Sequence, residues 1–143
     1  MEKVFVVKIG GNIIDDEVKL SAFLQSFAQL AVTKTGSGAN TPLGDGGMVL
    51  VHGGGKLATR LAEKMGIEQQ LVDGRRITDA ETLKIVTMVY AGYINKNIVA
   101  QLQANGCNAI GLSGADGNTI LAHKRISKNN IDYGFAGDID AVN

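Results

Sequence analysis

Nine residues, Met48 to Lys56, constrain the fold more than any other stretch. They read Met-Val-Leu-Val-His-Gly-Gly-Gly-Lys. An apolar run with two valines meets three glycines, and Leu57, Leu61 and Met65 then recur at helical spacing with charged residues between them. This is the grammar of strand, glycine turn and helix. The turn leaves backbone N–H groups free at a helix N-terminus, where the helix dipole also favours negative charge. A side chain there would obstruct the close approach of an anion. The stretch predicts the floor of an anion-binding site, for a phosphoryl group above all.

A second strand end has the same character. Residues 4–9 form an apolar run broken only by Lys8, as in a parallel strand buried on both faces. Gly10, Gly11 and Asn12 end it. Ligands of open α/β sheets bind beyond the carboxyl ends of the strands, which makes Lys8 a candidate ligand-facing cation. A lysine snorkelling to water at a strand end explains it equally well.

Between these strands, Asp15 and Asp16 open a helix with Leu20, Phe23, Leu24, Phe27 and Leu30 on one face. Residues 33–47, rich in glycine and carrying the only proline, read as a surface loop. It lacks the Gly-Lys-Ser/Thr ending of a Walker phosphate loop. The helix after the central turn stops at Gly66. Residues 72–78 are short and mixed, with adjacent Arg75 and Arg76. Thr78 and Glu81 form a capping-box pattern that starts a long helix to Ala104, with Gly92 as a bend. Its apolar face (Leu83, Val86, Val89, Ile94, Ile98, Leu102) suits either its own core or a second subunit. Residues 108–112 read as a third parallel strand. Residues 119–126 and 133–142 alternate like antiparallel strands around a turn at 128–130.

The order β-α-β-α-α-β-β-β predicts an α/β protein, a three-layer α/β/α sandwich with a mainly parallel sheet. At 143 residues the chain is one domain's worth. Charged residues make up 20% with zero net charge, and aromatics 5%, so there is no basic stripe to hold nucleic acid. Nor is there a long apolar segment for a membrane, and the cytoplasm is the expected compartment. One cysteine, Cys107, excludes an intrachain disulfide. His52 and His123 have no metal-ligand spacing, so no metal site is expected. Gly53-x-Gly55-x-x-Ala58 with Asp73 fits the loose dinucleotide fingerprint, but leaves Lys8, Gly10, Gly11 and Arg76 without a role.

The segments Lys8 to Asn12, His52 to Lys56, Gly74 to Asp79, Ala91 to Lys96 and Gly111 to Gly117 come in the order and spacing of the amino-acid kinase family. The arginine segment and the last of these resemble the N-acetylglutamate kinases of arginine biosynthesis within it. That resemblance implies ATP, with Mg2+, as phosphoryl donor and the γ-carboxylate of an N-acyl-glutamate as acceptor, giving an acyl phosphate. It implies a catalytic role for Lys8, neutralising charge on the transferring group. Gly11 would offer its N–H to that group, Gly54 and Gly55 would offer theirs to the substrate, and Arg76 would hold the α-carboxylate. A homodimer is implied as well.

There are departures. Arg75 stands where the family is usually apolar, which raises N-succinyl-glutamate as an alternative substrate. Ala115 stands where lysine is frequent, and the loop at 33–47 is long. The chain is also short for the family. It matches the N-terminal, acyl-amino-acid-binding half, and the half carrying most of the nucleotide site is not in it. A non-catalytic module that binds an acylated amino acid is the other reading.

Overall fold

The computed structural model describes residues 4–35, 47–72, 74–125 and 131–143. Strand β1 (Phe5–Ile9) pairs in parallel with β2 (Met48–His52), with Val7 opposite Leu50 and Ile9 opposite His52. Between them lie a single turn, α1 (Gly11–Ile14), and the long α2 (Glu17–Thr35). Asp16 caps α2 as the acidic pair predicts: its carboxylate accepts from the Lys19 amide at 3.0 Å. Leu20, Leu24, Phe27, Ala28 and Ala31 are buried on α2, while Leu30 lies off this stripe and is half exposed. The predicted loop at 33–47 starts later than expected, because α2 runs to Thr35, and residues 36–46 fall outside the described part.

Helix α3 (Gly55–Lys64) follows β2. Then β3 (Leu71–Val72) and β4 (Arg75–Arg76) make a minimal hairpin, with Leu71 opposite Arg76. Gly74 has φ of +74° in its turn, which glycine adopts without a Cβ penalty. Helix α4 (Ala80–Val86), a π segment (Thr87–Ile94) and α5 (Asn95–Ala104) form one continuous helical run. Its cap is Asp79, not the expected Thr78. The Asp79 carboxylate accepts from the Thr82 amide at 2.7 Å, whereas the Thr78 amide donates to Tyr133. Gly92 lies inside the π segment.

One core joins these elements. Ile9, Leu24, Ala58, Ala62, Ile85, Val89, Ile98 and Leu102 are buried in it, with Val7, Met48 and Leu50 packed against it. The other face of the β1–β2 ladder, with Val6, Lys8, Val49 and Val51, is exposed among the described residues. Residues 108–112, expected as a third strand, join no ladder there, and Ile110 is 80% exposed. The two terminal strands are antiparallel as predicted: β5 (Ile120–Lys124) with β6 (Gly137–Val142), irregular between Leu121 and Ala122. The turn expected at 128–130 lies outside the described residues.

Candidate functional site

The β1–β2 register decides where the glycines go. Ile9 stands beside His52, so the turns that follow them leave the same edge of the ladder. Each turn opens a helix, α1 at Gly11 and α3 at Gly55. Side chains tie the two helix starts together. Lys56 Nζ lies 3.4 Å from Asn12 Oδ1 and 4.0 Å from Asp15 Oδ2, and Arg60 Nη2 lies 3.2 Å from Asp15 Oδ1.

The turn at Gly54 must be glycine for packing reasons. A Cβ there would collide with Ile94 and come within 3.0 Å of the Tyr90 ring. The backbone at the start of α3 therefore lies directly on the π segment. The Gly54 carbonyl accepts from the Ala58 amide at 3.0 Å, the first bond of α3. The Gly55 amide, in the first turn, has no partner within its own helix.

Arg76 comes to this turn from the hairpin. Its Nη2 donates to the Gly55 carbonyl at 3.2 Å and to Thr59 Oγ1 at 2.7 Å, and its Nη1 to Gln69 Oε1. A half-buried guanidinium is thus fixed at the mouth of the glycine turn. Thr82 Oγ1 steadies Gln69 in turn, at 3.2 Å. The structure brings Gly54, Gly55 and Arg76 into one place and sets Gly11 at the neighbouring helix start.

Lys8 is one residue back from the end of β1, opposite Val51 and exposed on the open face. Among the described residues it makes no ion pair within 4 Å, so its charge is not neutralised by a close carboxylate. Arg75 is exposed on β4. The Asp79 carboxylate, which could have paired with it, caps α4, and Asp73 lies outside the described residues. Its charge acts instead on Asp138, whose carboxyl is held below the usual range chiefly by Arg125, with His123 and Arg75 adding to the effect.

The Gly111 to Gly117 segment sits behind α5. Lys96 Nζ donates to the Gly111 carbonyl at 3.0 Å. The Ser113 hydroxyl and amide both donate to Asp116, each at 2.6 Å, and hold its carboxyl below the usual range, with Lys96 helping. Two residues that the sequence reading places in these motifs without a role also meet here. His52 Nδ1 lies 3.1 Å from the Gly53 carbonyl, and His52 Nε2 lies 3.3 Å from Asn95 Nδ2. The available signal was Asn95 itself, an amide beside the apolar stripe of Ile94, Ile98 and Leu102.

A separate cleft of about 500 Å3 opens between α2, α3 and the helical run. Ile14, Asp15, Leu57, Arg60, Tyr93 and Asn97 line it; Lys8, Gly54 and Arg76 do not.

The model of the amino acid kinase family matches residues 3–143. The chain belongs to that family. It is 58% identical to the acetylglutamate kinase of Cytophaga hutchinsonii over 99% of its own length and 48% of that protein. It is 52% identical to the acetylglutamate kinase of Phocaeicola vulgatus, over 99% of this chain and 49% of that one. Against the acetylglutamate kinase of Methanopyrus kandleri the identity is 37%, over 96% of this chain and 49% of that one. The chain thus spans about half the length of the curated relatives it matches.

Solved structures bear out the α/β fold. A Streptococcus mutans protein superposes with a TM-score of 0.71 at 22% identity, over all of this chain and 52% of its own. The N-acetylglutamate synthase of Neisseria gonorrhoeae gives 0.64 at 20% identity, over 98% of this chain and 31% of its own.

Proposed function

We propose that the chain carries the acyl-substrate half of an ATP-dependent kinase. In this reading the kinase phosphorylates the γ-carboxylate of N-acetyl-glutamate to an acyl phosphate, in arginine biosynthesis. One observation supports it above the rest: the Arg76 guanidinium held on the Gly55 carbonyl, beside the N–H groups that open α3. A planar cation and a row of amides suit a dicarboxylate, one carboxylate at each end. Arg76 would hold the α-carboxylate, and Gly54 and Gly55 the reacting end. Lys8 and the Gly11 amide would face the transferring phosphoryl group. Phosphoryl transfer asks little covalent work of a protein; it needs alignment, cations and N–H dipoles around the charged oxygens.

Magnesium would travel with ATP. Asp15, the carboxylate beside Gly11, is already engaged by Lys56 and Arg60, so no metal ligand is assigned to it. Most contacts to the nucleotide would come from residues beyond the segment shared with these relatives. No helix among the described residues is long and apolar enough to cross a membrane, which is compatible with a cytoplasmic enzyme.

The test is a coupled assay of ADP release with N-acetyl-glutamate and MgATP. It is run on this chain and on any longer product of its gene, beside calorimetric titration of N-acetyl-glutamate. The expected result is binding by the 143-residue chain and turnover only in a protein of the relatives' length. Binding without turnover in every product would leave the non-catalytic module, and no binding in any would overturn both readings.

A further inference from the structure

The imidazole of His52 sits between two fixed contacts, Gly53 O at Nδ1 and Asn95 Nδ2 at Nε2. Asn95 is 8% exposed, and its Nδ2 also reaches the Leu112 carbonyl at 3.5 Å. Its Oδ1 is buried without a hydrogen-bond partner among the described residues. That oxygen faces Gly111, where any Cβ would collide with it.

With a neutral imidazole and the Asn95 amide as placed, these contacts fix the protons. The Leu112 carbonyl can only accept, so the NH2 of Asn95 faces it, and the same NH2 faces His52 Nε2. Nε2 must then accept. A neutral imidazole with a bare Nε2 carries its proton on Nδ1, and Nδ1–H donates to the Gly53 carbonyl. Turning the Asn95 amide over would strip Leu112 of its donor. It would also move the histidine proton to Nε2 and leave Nδ1 facing the Gly53 oxygen, acceptor against acceptor.

The Gly53 carbonyl belongs to the same planar trans peptide as the Gly54 N–H, and the two point in opposite directions. Holding the carbonyl on His52 therefore aims the Gly54 N–H away from the imidazole. The next peptide is fixed differently, because the Gly54 carbonyl is bonded into α3 and the Gly55 N–H must point out of the helix start. One anion-binding amide is aimed by the helix. The other depends on a side chain.

We propose that Asn95 is a positioning residue of the site: by holding His52 in its Nδ1–H tautomer it aims the Gly54 amide at the bound acyl substrate. This inference rests on the substrate reading above. It gives the buried Asn95 NH2 a task beyond packing; Oδ1, set against Gly111, takes no part in it.

The test has two arms. Nitrogen-15 NMR of the 143-residue chain reads the His52 tautomer directly. Wild type is expected as Nδ1–H. Asn95→Asp, which can only accept, is expected to move the proton to Nε2. Titration with N-acetyl-glutamate then compares two replacements of the half-buried His52. In His52→Gln the side-chain amide takes the Nε2 position and the Gly53 contact is lost. In His52→Asn the amide takes the Nδ1 position and can still donate to Gly53. His52→Asn should restore roughly tenfold of the affinity lost in His52→Gln, the size of one hydrogen bond.

Equal losses in the two variants, or an Nε2–H tautomer in wild type, would overturn the proposal. The His52 pair decides the matter if Asn95→Asp does not fold. If wild type binds no N-acetyl-glutamate, the proposed substrate falls, and the tautomers of wild type and Asn95→Asp still decide whether Asn95 sets the imidazole.

Discussion

Arg76 and Lys8 differ in how far the protein has already committed their charges. Arg76 is half-buried and spends three contacts on Gly55, Thr59 and Gln69, so it is rigid before any ligand arrives. Lys8 is exposed. In a catalytically active form, Arg76→Ala should mainly raise the Michaelis constant for the acyl substrate, and Arg76→Lys should not restore it, because an ammonium cannot reproduce the fork. Lys8→Ala should instead lower kcat, by roughly 100- to 1000-fold, as expected for a charge felt most in the transition state. Steady-state kinetics separates the two, and a reversed pattern would reassign both residues. Arg75 is exposed on β4. Arg75→Leu should therefore change the ratio of kcat/KM between N-acetyl- and N-succinyl-glutamate by less than about 0.5 kcal/mol, the usual size of a surface effect. A swing of about 2–3 kcal/mol toward the acetyl compound would mean that Arg75 reads a charge on the acyl group. The glycines, Lys8 and Arg76 stand out in the sequence as candidates because each is an odd residue in a plain context, and the structure brings Arg76 to the glycine turn. His52 and Asn95 do not stand out, since their meaning lies in a contact between residues 43 positions apart.

Elements were legible where their period was regular. α2, α3 and the antiparallel pair follow from spacing alone. The run 80–104 was legible as a helix, but its π segment was not, because bonding from i to i+5 inserts a residue without changing the apolar character. Residues 108–112 have a strand's composition, yet a parallel strand exists only if a neighbour pairs with it, and none of the described strands does. The cap of α4 was misplaced by one residue because Thr78 and Asp79 are both capping types and tertiary structure chose between them. The Thr82 amide holds the Asp79 carboxyl below its usual range. A depressed folded value means that the charged cap stabilises the protein fully above the ordinary carboxylate range and loses that effect as pH falls through the lowered value. Asp79→Ala should melt earlier than wild type at pH 7, and the gap should close as acid protonates the cap; a gap independent of pH would point to lost packing instead. Gly54→Ala tests the contact between elements. Its Cβ would press on Ile94 and Tyr90, and chemical denaturation should register about 1–3 kcal/mol of lost stability, the usual range for overpacking.

Among the described residues one core is closed, and two of the open apolar surfaces bear on how the chain assembles. Val6, Val49 and Val51 lie bare on one side of the ladder, at 66%, 45% and 42% exposure, in a chain that spans about half the length of its curated relatives. The other surface follows the helical run. Met88 and Tyr93 are 50% and 61% exposed. Both lie in the π segment, with exposed Gly92 next to Tyr93. Tyr93 also lines the cleft against α2, one turn before Asn97 and two before Gln101. An exposed strip that carries an aromatic beside a cleft fits a second copy of the same helix, related by a twofold axis. We propose that the chain forms a homodimer through this strip. A tyrosine of this kind is typically worth about 2 kcal/mol or more, roughly a 30-fold change in the dissociation constant. Sedimentation equilibrium should find wild type dimeric at micromolar concentration and Tyr93→Glu largely monomeric, with Val49→Glu on the open ladder face as a control that stays dimeric. Loss of the dimer in Val49→Glu but not in Tyr93→Glu would move the interface to the ladder.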